Sequence, residues 1–244
     1  MSAPIHLDAR LSLAFDLYDP CGLAADIGTD HAHLPAALLQ RGRCQHMVLT
    51  DLSPDALRNA RGEMTRFGLA DRVDFRLGDG FLPLREEERF GMISVTGMGG
   101  RTLRDILLSG QSRLNGASLL LSAHTDLPLV RDAVSRIGYH LVREEPCFCN
   151  RRYYLLLLAR PGIRPVSPRE IRLGGPLFSS SSSWLLPYLS RRREVLSAGL
   201  EGLKTAAEPD REAIAQAEED IAFYDAFLAE RRYTHERSGN LPAD

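Results

Sequence analysis

Residues 24–35 read A-A-D-I-G-T-D-H-A-H-L-P, from Ala24 to Pro35. An apolar run ends in an acid and a glycine, Asp26-Ile27-Gly28, the pattern of a first β-strand turning into a helix. A dinucleotide loop would next present a second small glycine, so that backbone N–H groups could approach a pyrophosphate. That place holds Asp30. A carboxylate there repels a diphosphate and suits a ligand that carries positive charge and no phosphate.

Strand and helix signals alternate around this stretch. Leu7, Leu11, Phe15 and Tyr18 stand at helical spacing, an amphipathic lead-in helix over 7–18. Leu23–Ile27 reads as the first strand and 32–40 as a helix, and Gln45–Thr50 is a second strand ending at Asp51. Ser53-Pro54-Asp55 opens a helix, with a hydroxyl cap and proline at the first helical position, and Gly68 stops it. Val73–Leu77 is a third strand, closing in Gly78-Asp79-Gly80. Gly91–Thr96 is a fourth, running into Gly97-Met98-Gly99-Gly100 and a helix over Arg101–Leu108. Ser118–Ser122, Tyr139–Arg143 and Tyr153–Ala159 are the fifth, sixth and seventh strands, with a helix at Leu127–Ile137. This order predicts an α/β fold with a mostly parallel sheet closed by a hairpin-like pair. Seven strands is the count of the Rossmann-like class I methyltransferase fold.

Composition shifts at Arg160-Pro161-Gly162, which divides the chain into 1–160 and 161–244. Beyond the serine run Ser179–Ser183, Leu186, Leu189, Arg193, Leu196, Leu200 and Leu203 follow a 3,4 spacing. Ile214, Ala217, Ile221, Tyr224 and Leu228 repeat it after Pro209-Asp210. The reading is a C-terminal antiparallel helical hairpin, coiled-coil in character, with a frayed tail over the last ten residues.

The 244 residues are 44% hydrophobic and 25% charged, with net charge −2, so any nucleic-acid surface has to come from local clusters. Lys204 is the only lysine among 30 basic residues, so positive patches consist of planar, bidentate arginines that suit phosphate. Arg41 with Arg43, Arg151 with Arg152, and Arg191–Arg193 are such clusters. Cys21, Cys44, Cys147 and Cys149 form no CxxC pair, and His31 and His33 beside Asp30 lack further ligands, so neither metal nor disulfide framework is expected. The first residues contain no apolar signal-peptide core, and no apolar run reaches the roughly 18 residues of a membrane helix. The expectation is a cytoplasmic protein with no membrane contact.

Ligands of such sheets gather at the carboxyl ends of the strands. Four candidates fall there: Asp26-Gly28-Asp30, Asp51, Asp79 and the glycines Gly97, Gly99 and Gly100. Asp51 can accept two ribose hydroxyls and Asp79 an adenine amino group, while the glycines let a flat substrate approach closely. S-adenosylmethionine, with a sulfonium, an ammonium and an adenosine, meets these demands.

The strings D-I-G-T-D-H-A-H-L-P, G-D-G and V-T-G-M-G-G together resemble the bacterial tRNA (adenine-N1)-methyltransferase family that modifies adenine 22. The likeness runs from Arg10-Leu11 to Tyr153, and the hairpin is similar to that family's C-terminal coiled-coil domain. It implies that Asp26, Gly28, Asp51 and Asp79 contact S-adenosylmethionine, with Ile27, Thr29, Leu52, Gly78 and Gly80 beside them. It implies a catalytic group of Asp30, His31, Thr96, Gly97 and Met98 at the target base. Arg10, Gly99, Gly100, His124, Arg151, Arg152, Arg191 and Arg192 are then the expected substrate contacts, with tRNA as partner and a monomer or weak dimer as the working form. One departure stands out: Ser122-Ala123-His124 replaces the Q-P-N or S-P-Q string of such proteins.

N1 of adenine keeps an in-plane lone pair, so its methylation needs no obligatory general base. Alignment, desolvation and a carboxylate facing the developing cation are the expected sources of rate, with Asp30 for the last and His31 or Thr96 at the N6 edge. Two other classes fit less of the sequence: a methyltransferase acting on a small molecule or protein, and a non-enzymatic RNA-binding module.

Overall fold

A computed structural model describes residues 4–29 and 31–238, with side chains as far as 231. It divides into two compact units, Met1–Ser180 and Ser181–Asp244. The first unit is built on a seven-stranded sheet in the order β3-β2-β1-β4-β5-β7-β6. The strands are β1 (Cys21–Ile27), β2 (Cys44–Asp51), β3 (Val73–Leu77), β4 (Met92–Met98), β5 (Ser118–Ala123), β6 (Tyr139–Cys149) and β7 (Arg152–Pro161). β1 to β5 run parallel, and β7 enters antiparallel between β5 and β6. The chain reverses its direction of travel across the sheet between β1 and β4, which opens a crevice at their carboxyl ends.

The central parallel strands are buried on both faces, so they read as apolar runs, as in Ala24, Ala25 and Ile27 of β1, whereas β3 at the edge is not. Helices α1 (Ala9–Asp16), α2 (His33–Gln40), α3 (Pro54–Arg66), α4 (Gly100–Ser109) and α5 (Leu127–Arg136) supply the covering layers. α2 carries a nearly unbroken buried run, Leu34 to Leu39. α3 begins as its sequence foretells: the Ser53 hydroxyl accepts from the Ala56 N–H at 3.3 Å, and Pro54 occupies the first turn. It ends at Gly68, where the Leu69 N–H reaches back to the Met64 carbonyl.

Two differences from the sequence reading share one cause. β6 continues to Cys149 instead of stopping at Arg143, and the first unit runs on to Ser180 instead of ending at Arg160. Pro146 interrupts the strand pattern, but β6 is the edge of the sheet, where a missing N–H breaks no ladder bond. Glu144 and Glu145 are both buried. Glu144 meets Arg131 at 2.8 Å and accepts the backbone N–H groups of Gly175 and Leu177, and Ser180 donates to Glu145 at 2.5 Å. Those contacts fix α6 (Pro168–Leu173) and the turn after it against β6 and α5, so residues 161–180 belong with the sheet. α6 carries a capping box between Ser167 and Glu170.

The second unit consists of α7 (Leu185–Lys204) and α8 (Arg211–Ser238), packed against each other. Arg193, the arginine in the heptad pattern of α7, forms a two-pronged pair with Asp225 at 3.0 and 3.2 Å. Lys204 pairs with Glu218 at 2.7 Å. The final six residues of the expected frayed tail lie outside the described residues.

Candidate active site

The carboxyl ends of β1, β2 and β3 frame a cavity of about 240 Å³, lined by Ile27, Gly28, Asp51, Leu52, Asp79 and Met98 among others. The loops are stitched to their neighbours. The Gly28 N–H donates to the Thr50 carbonyl at 2.8 Å, and the Gly78 N–H to the Asp51 carbonyl at 3.0 Å. The Asp51 carboxylate accepts the Ser53 N–H at 2.8 Å, which holds it beside the start of α3. Gly78, Asp79 and Gly80 close the far side, and Thr102 and Ile106 of α4 form a partly apolar wall. The lining carries two carboxylates and no basic side chain. That donor set suits hydroxyls, an amine or a cation, and it opposes a phosphate.

A second cavity, about 220 Å³, opens between α1 and the loop after β1. Arg10, Asp26, Thr29, His31, His33, Thr96 and Gly97 face it. Gly28 lines both cavities. Its φ of +74° suits glycine, and a Cβ there would overlap the Met98 methyl group, so the wall between the two spaces is thin because residue 28 has no side chain. Asp26 is buried and accepts a hydrogen bond from the Ser94 hydroxyl at 2.5 Å. Burial pushes its carboxyl up to about 6, against the pull of that hydrogen bond. The Asp51 charge adds to the rise, and the Arg10 guanidinium opposes it.

The loop between β1 and α2 is held in an unusual conformation. Ala32 has φ +51° and provides no side-chain cap for α2. A non-glycine residue in this region costs about 1–3 kcal/mol, and such strain concentrates at ligand sites. The rings of His31 and His33 stack with centroids 5.9 Å apart. Asp30, the residue singled out for the developing cation, lies outside the described residues. Among the described residues, no group of three His, Cys, Asp or Glu side chains is arranged to hold a metal ion. No described helix is long and apolar enough to cross a membrane.

The expected site residues fall into three sets. Asp51, Leu52, Gly78, Asp79, Gly80, Ile27 and Met98 share the first cavity, while Arg10, Asp26, Thr29, His31, Thr96 and Gly97 share the second. His124 and Gly99 stand nearby: the His124 N–H donates to the Met98 carbonyl at 3.0 Å, and Gly99 precedes α4. Gly100 does not open toward a ligand. It is buried, and a Cβ there would collide with the backbone carbonyls of Thr125 and Asp126. Its small size serves the close approach of α4 to the loop after β5.

Arg151 and Arg152 are exposed at the β6–β7 turn, at the same carboxyl end of the sheet as the cavities but across it from β1 to β3. Arg41 and Arg43 are not there. Both guanidiniums lie over the Phe15 ring, at 4.9 and 5.0 Å, and Arg41 also donates to the Ile5 carbonyl. Arg191 pairs with Glu194 at 2.9 Å on α7, and Arg192 is half-buried. Several participants escaped the sequence reading, among them Ser94, Ile106 and Tyr154, besides Thr102 and His33 on the cavity walls. The first two carry a faint signal, a lone hydroxyl in an apolar strand and an apolar position on the α4 face. Tyr154 carries none beyond its type.

Residues 7–157, more than half of the chain, match the family described as a methyltransferase domain. The chain belongs to that family. This methyltransferase is 24% identical over 193 residues to a Bacillus subtilis tRNA (adenine(22)-N(1))-methyltransferase, covering 79% of this chain and 78% of that one. Its fold matches the crystal structure of the B. subtilis m1A22 tRNA methyltransferase with a TM-score of 0.81 at 21% identity, over 92% of this chain and 99% of that one. It also matches an M. capricolum structure bound to S-adenosyl-homocysteine, with a TM-score of 0.76 at 22% identity, over 91% and 98% of the two chains.

Proposed function

We propose that this methyltransferase moves a methyl group from S-adenosylmethionine to N1 of an adenine in tRNA, at the position named for its B. subtilis relative. One observation carries the reading: two cavities of different chemistry meet at Gly28, where methyl donor and acceptor have to touch. The acid-lined, base-free crevice fits S-adenosylmethionine, since Asp51 can accept the ribose hydroxyls and Asp79 the adenine amine. S-adenosylmethionine supplies an electrophilic methyl group on a sulfonium.

The side chains of this protein do the rest by position. Thr96 and His31 hold the N6 edge of the acceptor base in the second cavity. The role assigned to Asp30 is to offset the positive charge that develops on the base, and no residue has to remove a proton from N1. Alignment and exclusion of water supply the rate. A base inside a duplex or stack cannot reach this cavity, so the target nucleotide is extruded on binding. Arg151 and Arg152 on the first unit, and Arg191 and Arg192 on the second, hold phosphates of the tRNA body. The same reading makes the protein cytoplasmic, where its substrate is.

The test is transfer of a labelled methyl group from S-adenosylmethionine to three acceptors: a tRNA transcript, the same transcript with the target adenine replaced by guanine, and a mixture of proteins and small amines. Label on the first alone supports the reading. Label on the third, or equal label on both transcripts, contradicts it.

A further inference from the structure

Arg10, in the wall of the acceptor cavity, is backed by a stack assembled from distant parts of the chain. Arg10, on the first turn of α1, lays its guanidinium 5.4 Å from the centre of the Tyr154 ring on β7. One of its nitrogens lies 3.9 Å from where a Cβ of Gly97 would be, at the end of β4. The His124 ring meets Tyr154 at 5.9 Å with an interplanar angle of 68°, edge to face. Tyr154 is itself half-buried and packs against the core beneath α1. The tyrosine is therefore held from two sides, and it in turn holds a long arginine side chain that would otherwise sample many rotamers.

We propose that Tyr154 is a positioning residue for the acceptor base: it holds the Arg10 guanidinium at the cavity wall, as the platform on which the extruded purine stacks. This rests on the reading of the site as a tRNA adenine methyltransferase. Guanidinium planes stack on bases as aromatic rings do, whereas a lysine ammonium offers charge without a plane. His124 braces the ring from the loop after β5. His124 is the last residue of the Ser122-Ala123-His124 string, so the end of β5 contributes to the same stack.

The experiment compares tRNA methylation kinetics and S-adenosylhomocysteine affinity for wild type, R10K, Y154F and Y154L. In Y154L and R10K we expect kcat/KM for tRNA to fall about tenfold or more, the worth of one desolvated cation–π or stacking contact. Affinity for S-adenosylhomocysteine should stay within about twofold in both, since neither residue lines the donor crevice. Y154F should recover the wild-type value, because the ring is kept.

Wild-type kcat/KM in Y154L would overturn the proposal. So would full activity in R10K, which would mean that charge alone is needed, or an equal loss in Y154F, which would point to the hydroxyl. A parallel loss of S-adenosylhomocysteine binding in Y154L would make the ring part of the fold instead, and would likewise overturn it. If wild type methylates tRNA while these variants match it, only this inference fails. If wild type leaves tRNA unmodified, the reading beneath it fails.

Discussion

Asp26 brings a carboxyl group into the interior of the sheet, with the Ser94 hydroxyl as its near partner and the charges of Asp51 and Arg10 around it. In the unfolded chain it ionises near its ordinary 3.8, and in the folded protein at about 6. Between those values the native state holds more protons than the unfolded state, so stability falls as pH rises through that window and then levels off. Asp26→Asn keeps an acceptor for Ser94 and removes the titration. Its stability, measured by urea unfolding from pH 4 to 7, should gain on wild type as pH rises to 6 and hold that lead above it. Parallel curves for the two proteins would show that burial does not raise the Asp26 pKa. At this scale the strand ends were legible: Asp51 closes β2 and Asp79 follows β3, and the two line one cavity, a signal local enough to read. Ser94 and Tyr154 matter only through partners far away in the chain. The Ser94–Asp26 bond spans 68 positions and the Arg10–Tyr154 contact joins α1 to β7, so no window of sequence contains either.

Elements with strong local punctuation appear where their residues say they should. β3 is Val73–Leu77 in both readings, and α3 starts after Ser53 with Pro54 in its first turn. β6 was read short because buried acids and a proline are poor strand signals, and their burial depends on the segment that folds over them. α6 does carry a readable signal, Ser167-Pro168-Arg169-Glu170, but its six residues are too few for periodicity to show. The Arg131–Glu144 pair makes that cover firm, since both side chains are buried and Glu144 also accepts two backbone N–H groups. Glu144→Ala leaves the Arg131 charge buried without its partner and should destabilise the first unit by about 3–5 kcal/mol. Denaturant unfolding measures that loss, and limited proteolysis should find new cleavage between Gly162 and Ser180. A loss below about 1 kcal/mol would mean that the cover is held by its apolar contacts alone.

For the whole molecule, net charge and composition said little about a nucleic-acid partner, and the placement of a few arginines says more. Arg151 and Arg152 share the carboxyl end of the sheet with both cavities, while Arg41 and Arg43 are engaged with Phe15. The helical hairpin was legible from its heptads, because each helix buries one face against the other. The boundary before it was less so, because the link from Pro161 to Ser180 has the composition of a tail but docks through Glu144 and Glu145. The central claim is that Gly28 joins a methyl-donor crevice to a cavity presenting N1 of an adenine. Nucleoside mass spectrometry of tRNA, after incubation with the purified protein and S-adenosylmethionine, tests it most directly. Wild type should yield 1-methyladenosine and Asp51→Ala almost none, a hydrogen-bond loss of about 1.5–3 kcal/mol in donor binding when the donor is limiting. N6-methyladenosine, a methylated nucleoside other than adenosine, or no methylated product at all would contradict it.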